Sequence, residues 1–277
     1  MIRLIALDID GTLVGDDSTV SPANRSALAA ARDRGVRTAL LTGRSRASSL
    51  PVVGQVDEGV IVALGSFDGA LVELLPSGEV LADHRLPPDA AARSYAVMVE
   101  AGLGPEVFTE APDKPVLAWD QALPPQRWLG ENLHRLDVVG RPELDRVLAD
   151  RPITISALSP LDVAEDCARR MRDELGDSID VKITFSPRYG GYFSQVAATR
   201  ATKVEAVKTI MERLGVERPQ VLAAGDWLND VDMLRFAGVG VAMGGSVEAV
   251  LSAADWVTAS VEDEGVALAV DRYVLRG

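Results

Sequence analysis

The stretch Leu4-Ile5-Ala6-Leu7-Asp8-Ile9-Asp10-Gly11-Thr12 decides the fold of this chain. Residues 2–7 are a nearly continuous apolar run, which is typical of a strand buried on both faces of a parallel sheet. Two carboxylates, Asp8 and Asp10, follow that strand directly, and Gly11 lets the chain turn. Ligands of open parallel sheets bind beyond the carboxyl ends of the strands. The stretch therefore predicts either a reactive acidic pair at the edge of an α/β sheet or an ordinary Asp-x-Asp-Gly turn.

Strands and helices alternate on both sides of a long central segment, and this pattern predicts a right-handed parallel α/β layer structure. Ser21 and Pro22 suit the start of a helix, because serine caps free amides and proline fits the first turn. A hairpin is predicted around residues 76–79, Pro-Ser-Gly-Glu. The strands predicted after the first are 36–41, 60–64, 70–75, 80–81, 221–224, 239–243 and 256–257.

The central segment differs in composition from the rest of the chain. Prolines concentrate in it, and short strand candidates mix with amphipathic helices such as residues 161–175. The chain has 277 residues, a length that fits two domains. We therefore predict a Rossmann-like core at 1–83 and 188–277, with a parallel sheet and helices on both faces. An α+β domain at 84–187 is predicted to be inserted in it.

Two further segments have the chemistry of a phosphate site. A predicted strand ends in Thr42-Gly43-Arg44, where a threonine hydroxyl and free amides can hold a phosphoryl oxygen. Lys203 opens a helix, where its charge opposes the helix dipole. That conflict suggests that the ammonium neutralises a phosphate, although a solvated lysine is the simpler interpretation of the position alone.

A third strand ends in Gly225-Asp226-Trp227-Leu228-Asn229-Asp230. Asp226, Asn229 and Asp230 offer three hard oxygen ligands within five residues. Such ligands suit Mg²⁺, which proteins bind through a few carboxylates together with water and substrate phosphate. The segment therefore predicts a magnesium site.

In order and spacing, these segments resemble the haloacid dehalogenase superfamily and, within it, the Cof-type phosphatases. Residues 8–12, 41–44, Lys203 and 225–230 resemble the four motifs of the superfamily. The resemblance covers nearly the whole core, including the place where a cap domain is inserted. It also extends through the tail segments 240–243, 254–255 and 265–267.

The resemblance implies roles for individual residues. Asp8 would be the nucleophile that forms an aspartyl-phosphate, and Asp10 would protonate the leaving oxygen and then deprotonate water. The implied phosphate-binding residues are Thr42, Gly43, Lys203 and Asn229. The implied Mg²⁺ ligands are Asp8, Asp10, Asp226 and Asp230, with Asp10 acting through its backbone carbonyl and Asp230 through water or by steadying the site.

The chain departs from the Cof-type pattern at several positions. Val204 follows Lys203 where many relatives have glycine, and Asp68-Gly69 stands where Asn-Gly is usual. Residues 193–195 lack the glutamate often found before the lysine, and Trp227 is bulky for its place. These departures leave every catalytic group in place and bear on the contacts with substrate.

The predicted function is a Mg²⁺-dependent phosphomonoesterase that acts on small phosphorylated metabolites such as sugar phosphates. The inserted domain would close over the site, exclude water and select the leaving group. One alternative is a phosphomutase or phosphotransferase that uses the same aspartyl-phosphate. The other is a catalytically silent protein that binds a phosphorylated ligand.

The composition limits the possible partners and the cellular location of the protein. The chain carries 28 basic and 41 acidic residues, a net charge of −13, which argues against nucleic acid as a partner. Cys167 is the one cysteine, so a reducing cytoplasm is the expected compartment. We expect no signal peptide, no transmembrane helix and no membrane partner. The oligomeric state is left open.

Overall fold

The computed structural model describes residues 1–110, 115–120, 122, 137–139, 141–186 and 189–276. The chain divides into two compact units, a first one of Met1–Asp83 with Ala201–Gly277 and a second one of His84–Arg200. The second unit extends past the predicted boundary at residue 187, because the strand Gly191–Ala198 pairs with the preceding strand along its whole length. That boundary therefore needs correction to residue 200.

The strands in chain order are β1 (Leu4–Leu7), β2 (Arg37–Leu41), β3 (Ile61–Ser66), β4 (Leu71–Leu74), β5 (Val80–Asp83), β6 (Glu106–Glu110), β7 (Pro115–Trp119), β8 (Asp137–Val139), β9 (Thr154–Ser159), β10 (Ile179–Ser186), β11 (Gly191–Ala198), β12 (Val221–Gly225), β13 (Val239–Ala242) and β14 (Trp256–Val257). The helices are α1 (Pro22–Asp33), α2 (Arg46–Val53), α3 (Pro88–Glu100), α4 (Arg141–Ala149), α5 (Leu161–Leu175), α6 (Lys203–Leu214), α7 (Val231–Phe236), α8 (Glu248–Leu251) and α9 (Gly265–Val270).

The first unit is built on an eight-stranded sheet with the order β14-β13-β12-β1-β2-β3-β4-β5. The pairs from β14 to β3 are parallel. The strands β4 and β5 extend this sheet as the predicted antiparallel hairpin. The parallel order places β12, β1 and β2 side by side at the centre of the sheet, so the segments after these three strands meet at one edge.

Helices cover both faces of this sheet, as the alternating residues of β1 show. Ile5 and Leu7 are fully buried in one apolar cluster together with Leu28 of α1. Leu4 and Ala6, which point to the opposite face, are buried in a second cluster with Ile210 of α6. The apolar run at the start of the chain is thus covered on both sides, which is why it lacks an alternating polar pattern.

The second unit has its own sheet, with the order β10-β11-β9-β6-β7-β8. Its described pairs are antiparallel except for β7 with β8. A separate apolar cluster joins this sheet to its helices and includes Met98 of α3 and Cys167 of α5. The predicted fold class, an α/β core with an inserted α+β unit, is confirmed.

Local sequence signals set the ends of two helices of the first unit. The Ser21 side chain caps α1 by accepting a hydrogen bond from the amide of Asn24. Thr202 caps α6 by accepting from the amide of Glu205, and Gly215 ends that helix in a left-handed conformation. Among the described residues, none of the helices is long and apolar enough to cross a membrane.

Candidate active site

The carboxyl ends of β1, β2 and β12 bring distant parts of the sequence to one cleft in the first unit. Asp8 follows β1, Thr42 follows β2 and Asp226 follows β12, and these strands are direct neighbours. The cleft has a volume of about 520 Å³ and is open to solvent. Its lining residues are Asp8, Asp10, Gly11, Gly43, Arg44, Asp226, Trp227 and Asn229.

Lys203 lies buried beneath this cleft, with 1% of its side chain exposed. Its Nζ atom is 2.5 Å from Oδ1 of Asp8 and 2.7 Å from Oδ1 of Asp230. Burial lowers the pKa of Lys203, but the charges of the two carboxylates more than offset this, so the pKa is raised. Lys203 therefore remains a cation at the base of the cleft.

A group of three carboxylates surrounds the lysine. Asp8, Asp226 and Asp230 each offer an oxygen atom, and these atoms lie within 4.8 Å of one another. The pKa of Asp8 is raised to about 8, mainly by burial and to a lesser extent by the charges of Asp230 and Asp226, while Lys203 lowers it. Burial and the charge of Asp230 likewise raise the pKa of Asp226. One lysine thus leaves the negative charge of this group only partly neutralised.

The donor set fits a hard divalent cation. Carboxylate oxygens are the ligands that Mg²⁺ prefers, and a cation beside them would stabilise the ionised carboxylates, whose pKa values are raised by burial and by mutual repulsion. Thr12, which is fully buried, donates a hydrogen bond of 3.2 Å to Oδ1 of Asp226 and so orients this carboxylate. Asp8 and Asp226 line the cleft and are the residues best placed to hold an ion.

Asp230 has both oxygens engaged within the protein. Its Oδ1 atom accepts from Lys203, and its Oδ2 atom accepts from the backbone amides of Asp226 and Trp227 at 3.0 Å each. A Cβ atom on Gly225 would lie 2.4 Å from Cγ of Asp230, so only glycine leaves room for this arrangement. Asp230 therefore holds the loop after β12 and fixes the position of Lys203.

Asp10 lies at the wall of the cleft and forms an ion pair with Arg44. The Nε atom of Arg44 donates to Oδ2 of Asp10 at 2.8 Å, and a second guanidinium nitrogen donates to Oδ1. The same nitrogen also donates to Oγ of Ser18 at 2.9 Å. The side chain of Asp10, which is 58% exposed, is thus oriented by Arg44 and stands apart from the three carboxylates around Lys203.

Thr42 is fully buried at the end of β2, where its Oγ1 atom accepts a hydrogen bond of 3.0 Å from the amide of Arg44. Gly43 follows it on the lining of the cleft. Beside Gly43 on the same lining, Nδ2 of Asn229 donates to Oδ1 of Asp68 at 2.7 Å. The structure thus places all the residues predicted for phosphate binding in or directly beneath one cleft.

Several side chains that orient the site are not among the predicted site residues. Thr12 belongs to the first motif, residues 8–12, so the sequence alone could have indicated a role for it next to the acidic pair. Arg44 and Asp68 act on partners that are 34 and 161 positions away in the sequence. Their contacts depend on the strand order, which a local pattern does not contain.

The chain matches the family model described as haloacid dehalogenase-like hydrolase over residues 5–270. It is 30% identical to YxeH, a provisionally named phosphatase of Bacillus subtilis, with 99% of both chains covered. It is 28% identical to the 5-amino-6-(5-phospho-D-ribitylamino)uracil phosphatase YcsE of the same organism, with 99% of this chain and 96% of that protein covered.

Solved structures with low sequence identity share the fold. The structure of TM0651 from Thermotoga maritima matches with a TM-score of 0.80 at 22% identity, covering 98% of this chain and 97% of that one. The sugar phosphatase BT4131, described as a subclass IIB member of the superfamily, matches with a TM-score of 0.74 at 23% identity, with 98% of both chains covered.

Proposed function

We propose that this chain, which belongs to the haloacid dehalogenase-like hydrolase family, is a Mg²⁺-dependent phosphomonoesterase of small phosphorylated metabolites. The observation that carries the proposal is the buried Lys203 bound between Asp8 and Asp230 at the base of an acidic cleft. Burying a charge is costly unless it is paired, and the pairing here leaves a nucleophile beside a cation that can neutralise a phosphoryl group.

The first half of the proposed reaction forms an aspartyl-phosphate. A carboxylate oxygen of Asp8 attacks phosphorus, and the bond between phosphorus and the ester oxygen breaks. Asp10, on the wall of the same cleft, gives its proton to the leaving oxygen, so that an alcohol departs. Lys203 and the hydroxyl of Thr42 stabilise the charge on the oxygens of the transferring group.

The second half returns the enzyme to its starting state. Asp10, now ionised, takes a proton from water as the water oxygen attacks the phosphorus of the aspartyl-phosphate. The bond from phosphorus to Asp8 breaks, and inorganic phosphate leaves. Arg44 supports this second half, because it holds the ionised carboxylate of Asp10 in a fixed orientation.

The group proposed to hold Mg²⁺ consists of Asp8, Asp226 and the backbone carbonyl of Asp10, with Asp230 steadying the site. When bound, the ion would neutralise charge on the transferring phosphoryl group and help to orient it. The ion would also explain how a strongly acidic chain can bind an anionic substrate. A net charge of −13 repels an anionic substrate, but Lys203 and a divalent cation would offset the charge of the three carboxylates where the phosphate binds.

The proposed substrate class is based on the names of two similar proteins. YcsE is named for a phosphorylated ribitylaminouracil and BT4131 is described as a sugar phosphatase, so both are named for small phosphorylated metabolites. We propose the same broad class for this chain, and a cytoplasmic location, where such metabolites occur. The single cysteine is in keeping with a reducing compartment.

A phosphate-release screen over a panel of phosphorylated metabolites, with Mg²⁺ present, tests this proposal. We expect release from a subset of the panel and its loss on addition of EDTA. Conversion of a hexose phosphate into an isomer without free phosphate would identify a phosphomutase instead. Binding of phosphorylated ligands without any turnover would identify a catalytically silent protein.

A further inference from the structure

The turn Phe67–Gly69, which follows β3, has an unusual backbone. Phe67 has a φ of 48° and Asp68 a φ of 57°, so two consecutive residues other than glycine are left-handed. Asparagine and aspartate tolerate this region better than other residues, whereas a bulky residue such as phenylalanine rarely adopts it. Such conformations persist only where the surroundings impose them, and they concentrate at functional sites.

Backbone contacts with two of the motifs fix this turn. The amide of Phe67 donates to the carbonyl of Arg44 at 2.9 Å, and the amide of Asp68 donates to the carbonyl of Thr42 at 2.8 Å. Gly69 lies against the capping residue of α6, because a Cβ atom there would be 2.5 Å from the carbonyl oxygen of Thr202. The turn is therefore fixed between the phosphate-binding segment of β2 and the start of the helix that carries Lys203.

The side chain of Asp68 reaches a third motif. Its Oδ1 atom accepts a hydrogen bond of 2.7 Å from Nδ2 of Asn229, and Asn229 lines the cleft. A carboxylate only accepts hydrogen bonds, so Asp68 determines that the nitrogen end of the Asn229 amide faces it. That nitrogen carries two hydrogens, and the second one is left for another acceptor.

We propose that Asp68 is a positioning residue that makes Asn229 offer an N–H donor, and not its amide oxygen, to the transferring phosphoryl group. This inference rests on the proposed phosphatase reaction. A phosphoryl oxygen is an acceptor, so an amide turned the other way would repel it. Asparagine at position 68 could either donate or accept and would leave the orientation of Asn229 undetermined.

Exchange of the two residues separates this role from a merely structural one. The variants are Asp68→Asn, Asn229→Asp and the double variant that carries both. In the double variant, the amide of residue 68 can donate to the carboxylate of residue 229, so the hydrogen bond returns with reversed direction. The fold then keeps its link, but a carboxylate faces the phosphoryl site in place of an N–H donor.

We expect the double variant to recover the melting temperature that Asn229→Asp loses. Its kcat/KM should stay at least about 100-fold below that of the wild type, the scale of losing one preorganised donor. Asp68→Asn alone should lower kcat/KM by about 3- to 10-fold, the scale of one hydrogen bond, with a small change in melting temperature. Recovery of both stability and kcat/KM in the double variant would overturn the proposal, because it would show that only the link matters.

Two further measurements complete the experiment. Asp255→Asn is the matched control, since Asp255 accepts a hydrogen bond of 2.8 Å from the amide of Gly240 away from the cleft. It should change stability without changing kcat/KM. Binding of inorganic phosphate with Mg²⁺, followed as a thermal shift, should weaken in Asp68→Asn even if no tested ester is hydrolysed. Unchanged binding of phosphate by Asp68→Asn would contradict the proposed role of Asp68. Absence of turnover in the wild type would contradict the phosphatase reaction but not this role.

Discussion

Lys203 is fully buried, and its charge is stable there only because of its partners. Asp8 and Asp230 contact its ammonium group at 2.5 and 2.7 Å, and both are themselves buried. A buried ion pair with good geometry repays the cost of desolvation, but removal of one partner leaves an uncompensated charge. The same lysine thus contributes to the stability of the first unit and to the proposed chemistry.

Replacement of Lys203 by methionine tests both contributions. We expect Lys203→Met to lower kcat by at least about 100-fold, because a preorganised positive charge next to the phosphoryl group is lost. The free energy of unfolding should fall by about 3–5 kcal/mol, because Asp8 and Asp230 remain buried without their counter-ion. Steady-state kinetics and urea denaturation measure the two effects.

Lys208, on the same helix, provides the matched control. Its ammonium group pairs with Glu205 at the surface, and its side chain is 46% exposed. Lys208→Met should change the free energy of unfolding by less than about 1 kcal/mol and leave kcat unchanged. If the two methionine variants had equal kcat values, Lys203 would have no part in the reaction.

At the scale of elements, the loop after β12 shows how close packing sets the position of a functional group. Gly225 ends this strand, and the side chain of Asp230 occupies the space where a Cβ atom would lie. Gly11, after β1, has a φ of 76°, and a Cβ atom there would be 2.3 Å from Oδ2 of Asp226. Gly11 is therefore required by the close approach of the two acidic segments, and Gly225 by the fold of the loop after β12 onto itself.

Gly225→Ala should displace the carboxylate of Asp230 from Lys203. We expect a loss of about 1–3 kcal/mol in stability from overpacking, together with a large fall in kcat. Thermal denaturation and phosphate release measure these changes. Gly54→Ala is the control, because a Cβ atom there makes only ordinary contacts of 3.5 Å or more. Normal activity of Gly225→Ala would mean that the position of Asp230 is unimportant.

Sequence patterns predicted the elements of the first unit well, because each buried strand is an apolar run followed by polar residues at the sheet edge. The helix at residues 161–175 of the second unit was also predicted within its observed bounds, α5. The hairpin partner β11 was not predicted, and it moved the boundary of the second unit to Arg200. Its sequence, GYFSQVAA, has no regular alternation, so its pairing with β10 and β9 depends on tertiary context.

At the scale of the whole molecule, the order of the motifs along the chain was sufficient to indicate the family, since four segments recur at fixed places. The ion pair of Asp10 with Arg44 and the bond of Asn229 to Asp68 could not be predicted, because they depend on which strands become neighbours. The closing of the inserted domain over the site stays a prediction. So do the roles of the individual site residues.

The strong negative charge of the chain suggests a test of metal binding that does not depend on turnover. Mg²⁺ that binds only the folded state should raise the melting temperature, and at 100 times its Kd the stabilisation is about 2.7 kcal/mol. Asp226→Asn should lose most of this shift because it removes one charge from the group of three carboxylates. An equal rise in melting temperature in Asp226→Asn and in the wild type would show that the ion binds at another site.

The central claim is that Asp8 is the nucleophile of a phosphatase. The most direct test is phosphate release by Asp8→Asn compared with the wild type, on the best substrate of the panel and with saturating Mg²⁺. We predict a loss of at least about 1,000-fold in kcat, because an amide of the same size cannot form the aspartyl-phosphate. Turnover within tenfold of the wild type by the folded variant would contradict the account.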